Sequence, residues 1–83
     1  MNYRYFIKLE PEGYYNLIKA YENGNYDQYY AYKTDNGYEI YNSAGLKIEQ
    51  YLSKQEVKEI RQALNNCLLT MVLVYTGTYL ELN

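Results

Sequence analysis

The chain has 83 residues and a net charge of −2, from eight Lys and Arg against ten Asp and Glu, with fourteen tyrosines, one cysteine, no histidine and no tryptophan. This length supports one α+β domain, residues 1–83, with a thin core, because so short a chain buries only roughly 60–65% of its unfolded surface. A lone cysteine excludes a disulfide framework and a thiolate metal site, and without histidine neither the usual general base nor a Ser-His-Asp or Cys-His arrangement can be built.

Residues Tyr3 to Leu9 open the chain with strict alternation: Tyr3, Tyr5, Ile7 and Leu9 on one side, Arg4, Phe6 and Lys8 on the other. That period of two predicts a strand. Pro11, flanked by Glu10 and Glu12, then has the composition of a helix start, with acids where the positive end of a helix dipole favours them. Tyr14, Leu17, Ile18 and Tyr21 follow at i, i+3, i+4 and i+7, which predicts a helix to about Asn23 with one buried stripe and Gly24 as its left-handed terminator.

Asp27 to Thr34 and Tyr38 to Asn42 read as two strands of a hairpin around Asp35-Asn36-Gly37, with Asn-Gly as the central pair of a type I′ turn. Leu46 to Glu49 alternates and is expected to be a short strand or an extended approach to the next helix. Ser53 and Glu56 have the spacing of a capping box. The helix they open carries Val57, Ile60, Leu64 and Cys67 or Leu68 on one stripe, and Cys67 is expected to serve as a small apolar residue there. Thr70 to Leu82 reads as a long closing strand, with Gly77 as a bulge or a turn.

The expected order is therefore β-α-β-β-α-β, an antiparallel sheet with two helices on one face, the ferredoxin-like split βαβ arrangement. Its opposite face would be open, with tyrosines of the first three strands as occupants. RNA-recognition modules share that topology and stack bases on sheet-face aromatics. Tyr38 to Asn42 lacks the basic start and the glycines of their signature strand, so no binding residue is carried over.

Several function classes fall away. Glu10 and Glu12 are the closest carboxylate pair, and a helix start accounts for them, while Glu56 and Glu59 read as one capping acid and one solvated helix charge. The five glycines lie singly, so no phosphate-cradling loop is present. No catalytic residue, cofactor or metal site is expected. Met1 to Tyr5 lacks the apolar stretch of a signal peptide, and the apolar run from Cys67 to Tyr75 is far short of a membrane span, so a complete cytoplasmic protein is expected.

A binding role remains. Nine tyrosines lie between Tyr14 and Tyr41, and fifteen of the twenty-five residues from Tyr21 to Gly45 are Tyr, Asn, Gly or Ser, the palette of an antibody paratope. From Leu9 to Gly45 six acids face two bases, which suits a basic partner and repels a polyanion. The expected partner-binding set is Tyr26, Asp27, Tyr29, Tyr30, Tyr32, Asp35, Tyr38, Glu39 and Tyr41, docking onto a basic surface of another protein, with a nucleic-acid-binding protein as a natural target. In size, acidity and lack of catalytic motifs the chain is similar to small phage or mobile-element inhibitors of host defence, anti-CRISPR proteins among them. The alternatives are stacking of single-stranded nucleic acid on sheet-face tyrosines, helped by Arg4, Lys8 and Lys33, and self-association through an exposed edge strand.

Overall fold

The first four elements are consecutive antiparallel strands: β1 (Tyr3–Leu9), β2 (Tyr15–Tyr21), β3 (Tyr26–Thr34) and β4 (Gly37–Asn42). A short 3-10 turn (Ile48–Gln50) leads to helix α1 (Lys54–Leu69), and a two-residue strand β5 (Leu80–Glu81) pairs with the outer edge of β1. The computed structural model describes residues 2–69 and 79–81, and the sheet order is β4-β3-β2-β1-β5. Of the closing strand expected over Thr70 to Leu82, only Leu80–Glu81 falls among the described residues, and Gly77 and Tyr75 lie outside them.

The ferredoxin-like expectation is overturned, because the segment expected to form the first helix is the strand β2. Among the described residues there is one α-helix, and the order is four strands, helix, strand. The residues from Tyr15 to Tyr21 satisfy both periods: Tyr15, Leu17, Lys19 and Tyr21 share one side, Asn16, Ile18 and Ala20 the other. Turn chemistry decides for the strand.

The same five-residue turn occurs three times, at 10–14, 21–25 and 42–46. In each, the amide of the fourth residue donates to the carbonyl of the first: Gly13 to Glu10 at 2.9 Å, Gly24 to Tyr21 at 3.1 Å and Gly45 to Asn42 at 3.0 Å. The first residue's amide in turn donates to the carbonyl of the fifth. These glycines adopt φ of 97°, 90° and 83°, the left-handed region that closes a three-residue hairpin loop with a bulge. Pro11 and Gly24 are thus turn residues, and the helix boundaries they suggested are hairpin ends. In the third turn Asn42 Oδ1 also accepts from the amides of Ala44 and Leu46, both at 2.9 Å.

The hairpin between β3 and β4 forms as expected but one residue out of phase. Thr34 pairs with Gly37, so Asp35 and Asn36 form the loop, and no described residue other than glycine has positive φ. Asn36 and Gly37 are not the central pair of a type I′ turn. After β4, Lys47 makes an isolated bridge to Tyr41 and the chain turns into the 3-10 segment, which replaces the short strand considered for Leu46 to Glu49.

Helix α1 begins where the capping box placed it. Ser53 Oγ accepts from the Glu56 amide at 3.1 Å, and Glu56 Oε1 accepts from the Ser53 amide at 3.2 Å. Ile60, Ala63, Leu64 and Cys67 are buried along its stripe, with Val57 and Leu68 half-buried beside them. They meet Tyr5, Ile7, Leu17, Tyr29, Ala31 and Ile40 from the sheet and Ile48 from the 3-10 turn. Burial pushes the Cys67 thiol up to about 11, as an apolar site disfavours the thiolate.

Candidate functional site

Strand register assigns every side chain to a face, because directly paired residues point the same way. One continuous row runs Ile7, Leu17, Tyr29 and Asn42, and the next runs Leu9, Tyr15, Ala31 and Ile40. Both face α1. The intervening residues form the outer face, on which no described helix lies. Its rows run Phe6, Ile18 and Gln28, then Lys8, Asn16, Tyr30 and Tyr41.

The expected partner-binding set is split by this register. Tyr26, Tyr30, Tyr32, Glu39 and Tyr41 share the outer face, with Tyr26, apart from the others at the groove, at 63% and Tyr32 at 44% exposure. Tyr29 lies on the helix side and is only 4% exposed. Asp27 and half-buried Tyr38 also point to the helix side, and Asp35 is at the exposed loop. The tyrosines of β1 do not reach the outer face either: Tyr5 is buried beneath α1, and its hydroxyl donates to Glu59 at 3.4 Å.

On the outer face the rings form one contact group. Tyr14 stacks on Tyr32 with centroids 5.2 Å apart at 27°, meets Tyr30 edge-on at 6.0 Å, and Tyr32 meets Tyr41 edge-on at 5.9 Å. Such geometries follow the ring quadrupole and hold the phenols in a defined array. Carboxylates flank the array: Glu39 pairs with Tyr32 across the strands and accepts from the Tyr41 hydroxyl, and Glu10 lies beyond Tyr14. The hydrogen bond to Glu39 holds the Tyr41 phenol above its ordinary value, and burial followed by Glu10 and Glu12 raises that of Tyr14. Both phenols stay neutral at physiological pH.

A polar chain divides this array from the rest of the face. Lys8 pairs with Glu10 at 2.8 Å, Asn16 donates to Glu10 at 2.7 Å, and Gln28 donates to the Asn16 side-chain oxygen at 3.0 Å. Asn16 is thereby satisfied at both ends although only 5% exposed, as a covered amide requires. The Lys8 ammonium and the Asn16 amide hold the Glu10 carboxyl below the usual carboxylate range. Beyond the divider lies an apolar groove of about 480 Å³, lined by Phe6, Ile18, Ala20, Tyr26, Gln28 and Tyr79 among others.

Tyr14, Glu10, Phe6 and Ile18 were missed as members of this surface. The signal was present in the alternation of Asn16, Ile18 and Ala20, which places Ile18 beside Phe6 once residues 15–21 form a strand. Among the described residues no group of three or more His, Cys, Asp or Glu is gathered as a metal site, and no described helix is long and apolar enough to cross a membrane. Comparison of the chain with protein-family models, curated proteins and solved structures gave no match.

Proposed function

We propose that this is a non-enzymatic binding protein that docks the outer face of its sheet onto a basic surface of another protein. The supporting observation is the array of Tyr14, Tyr30, Tyr32 and Tyr41 on a helix-free face, bounded by Glu10 and Glu39. Phenol rings give large contact area at low entropic cost, and the rim carboxylates, each paired with a lysine, offer acceptors that a basic partner can share. The neighbouring groove offers an apolar recess in which a partner side chain can be desolvated, the usual seat of a hot spot.

The charge pattern favours a protein over a nucleic acid. Arg4 pairs with Glu81 at 3.1 Å, Lys8 with Glu10 at 2.8 Å and Lys47 with Glu39 at 3.8 Å, so each cation near this face is already matched and no track of unpaired bases follows the rings. A phosphate backbone requires the opposite. Nucleic-acid-binding proteins present the basic surfaces that complement this one, and occupying such a surface inhibits without chemistry, as small phage and mobile-element inhibitors of host defence do.

The test captures partners with the wild-type chain and with a Tyr30→Ala, Tyr32→Ala variant, then titrates the purified partner against both. The expected result is a partner with a basic patch whose affinity falls at least about tenfold in the variant. An unchanged affinity, or tight binding of single-stranded nucleic acid by gel shift at low salt, overturns the proposal.

A further inference from the structure

On the opposite side of the sheet, a cleft of about 580 Å³ opens between the strands and the N-terminal half of α1, within the size range of small-ligand sites. Tyr21, Asp27 and Tyr29 form its floor, Tyr51 one wall and Glu56 part of its roof, with Lys19 at the side. Two carboxylates and one ammonium therefore line it, one positive charge short of balance. Neither Asp27 nor Glu56 forms an ion pair with a described residue.

Lys19 offsets the deficit only from a distance, its field reaching Glu56 without an ion pair to either carboxylate. It is the cross-strand neighbour of Asp27, yet its ammonium lies over rings, 4.1 Å from the Tyr3 centroid and 5.5 Å from that of Tyr21. Asp27 instead accepts from the Tyr21 hydroxyl at 2.6 Å. Of these rings Tyr21 lines the cleft and Tyr3 stands outside it, so one ring at this mouth already lies under a cation, the attraction that aromatic cages use. The helix N-terminus above, which would otherwise favour an anion, is already occupied by the reciprocal Ser53 and Glu56 bonds. Field and rings thus agree on the sign of the ligand.

From this geometry we infer that the cleft binds a guanidinium group, the side chain of an arginine presented by another protein, against Asp27 and Glu56 and between the Tyr21 and Tyr51 rings. A planar guanidinium suits the site better than an ammonium because it stacks on phenol faces and donates to two carboxylates at once. This inference does not rest on the outer-face array: Tyr21, Tyr26 and Gln28 line both the cleft and the outer groove, but none of Tyr14, Tyr30, Tyr32 and Tyr41 lines the cleft.

The test is an amide chemical-shift titration with Nα-acetyl-arginine N-methylamide and with its citrulline counterpart, a neutral compound of the same shape. Saturable shifts centred on Tyr21, Asp27, Tyr51 and Glu56 are expected with the arginine compound alone. Asp27→Asn and Glu56→Gln keep the hydrogen bonds to Tyr21 and Ser53 while removing charge, and each should weaken binding about tenfold. Lys19→Met removes the competing cation and should tighten binding several-fold, which a purely structural lysine would not do. Equal binding of the citrulline compound, binding of free arginine but not of the blocked form, indifference to both carboxamide variants, or no shift up to the order of 10 mM overturns the inference. The Tyr30→Ala, Tyr32→Ala variant should leave this titration unchanged, so failure here and failure at the outer face are read separately.

Discussion

The two faces of this sheet are built from the same residue type and put to opposite uses. On the side of α1, Tyr5 and Tyr29 are buried among Ile7, Leu17, Ile60 and Leu64, and their rings serve as core volume. On the outer side, Tyr14, Tyr30, Tyr32 and Tyr41 touch one another, and the Tyr41 hydroxyl donates to Glu39. A tyrosine count therefore says little until the parity of each position within its strand is known. Parity converts a compositional excess into a core and a surface.

Adjacent residues of β2 give the sharpest test of that contrast. Leu17→Ala should cost about 2–5 kcal/mol in urea unfolding, since Leu17 is fully buried under α1. Ile18→Ala, one residue along and half-buried in the groove, should cost clearly less; equal losses would mean that the outer face is also core. Gly24→Ala, at the turn that sets the register of β2 against β3, should cost about 1–2 kcal/mol. No atom lies within 4 Å of where its Cβ would stand, so the penalty is torsional. Tyr32→Ala should cost about 1 kcal/mol or less, the worth of its ring contacts, and a larger loss would assign the array to stability instead of binding.

Opposite ends of the pH scale should separate the faces further. Tyr5 carries a phenol pushed up from 10.0 to about 12, mainly by burial, so its contribution is intact below pH 10 and lost as pH rises towards 12. Tyr5→Phe should make that alkaline limb of the stability profile shallower, the remainder coming from Tyr29, whose phenol burial also raises. Glu10 on the outer face has a carboxyl held below 4.5 by Lys8 and Asn16. Its smaller contribution is intact above pH 4.5 and lost as pH falls through the depressed value, and Glu10→Gln should remove that acid dependence. Unfolding midpoints measured across pH for the three proteins check both limbs.

Much of this architecture was legible in the residues. The alternation of Tyr3 to Leu9, the hairpin strands around Asp35 and the Ser53, Glu56 box each had one physical interpretation, and the structure contains β1, β3, β4 and α1 there. Strand β2 had two. Tyr14, Leu17, Ile18 and Tyr21 fit a period of 3.6, Tyr15, Leu17, Lys19 and Tyr21 fit a period of 2, and both Pro11 and Gly24 serve equally well at a helix end or in a bulged turn. Recurrence of the five-residue spacing ending in glycine plus one residue, at Gly13, Gly24 and Gly45, was the clue that breaks the tie. The site suffered from the same error. With β2 read as a helix, the outer face lost its middle strand, and Phe6, Tyr14 and Ile18 could not be joined to the tyrosines of β3.

Arg61 reaches from α1 to the outer edge of β4, where its guanidinium donates to the Tyr38 carbonyl at 2.9 Å while holding Glu49 at 3.1 Å. Together with the bridge from Lys47 to Tyr41, it caps a border that would otherwise offer unpaired backbone groups to any passing chain. A ribbon so dense in aromatic, β-prone residues has the makings of a fibril. One charged side chain from the helix thus occupies part of an exposed strand edge, the kind of cover that discourages edge-to-edge pairing.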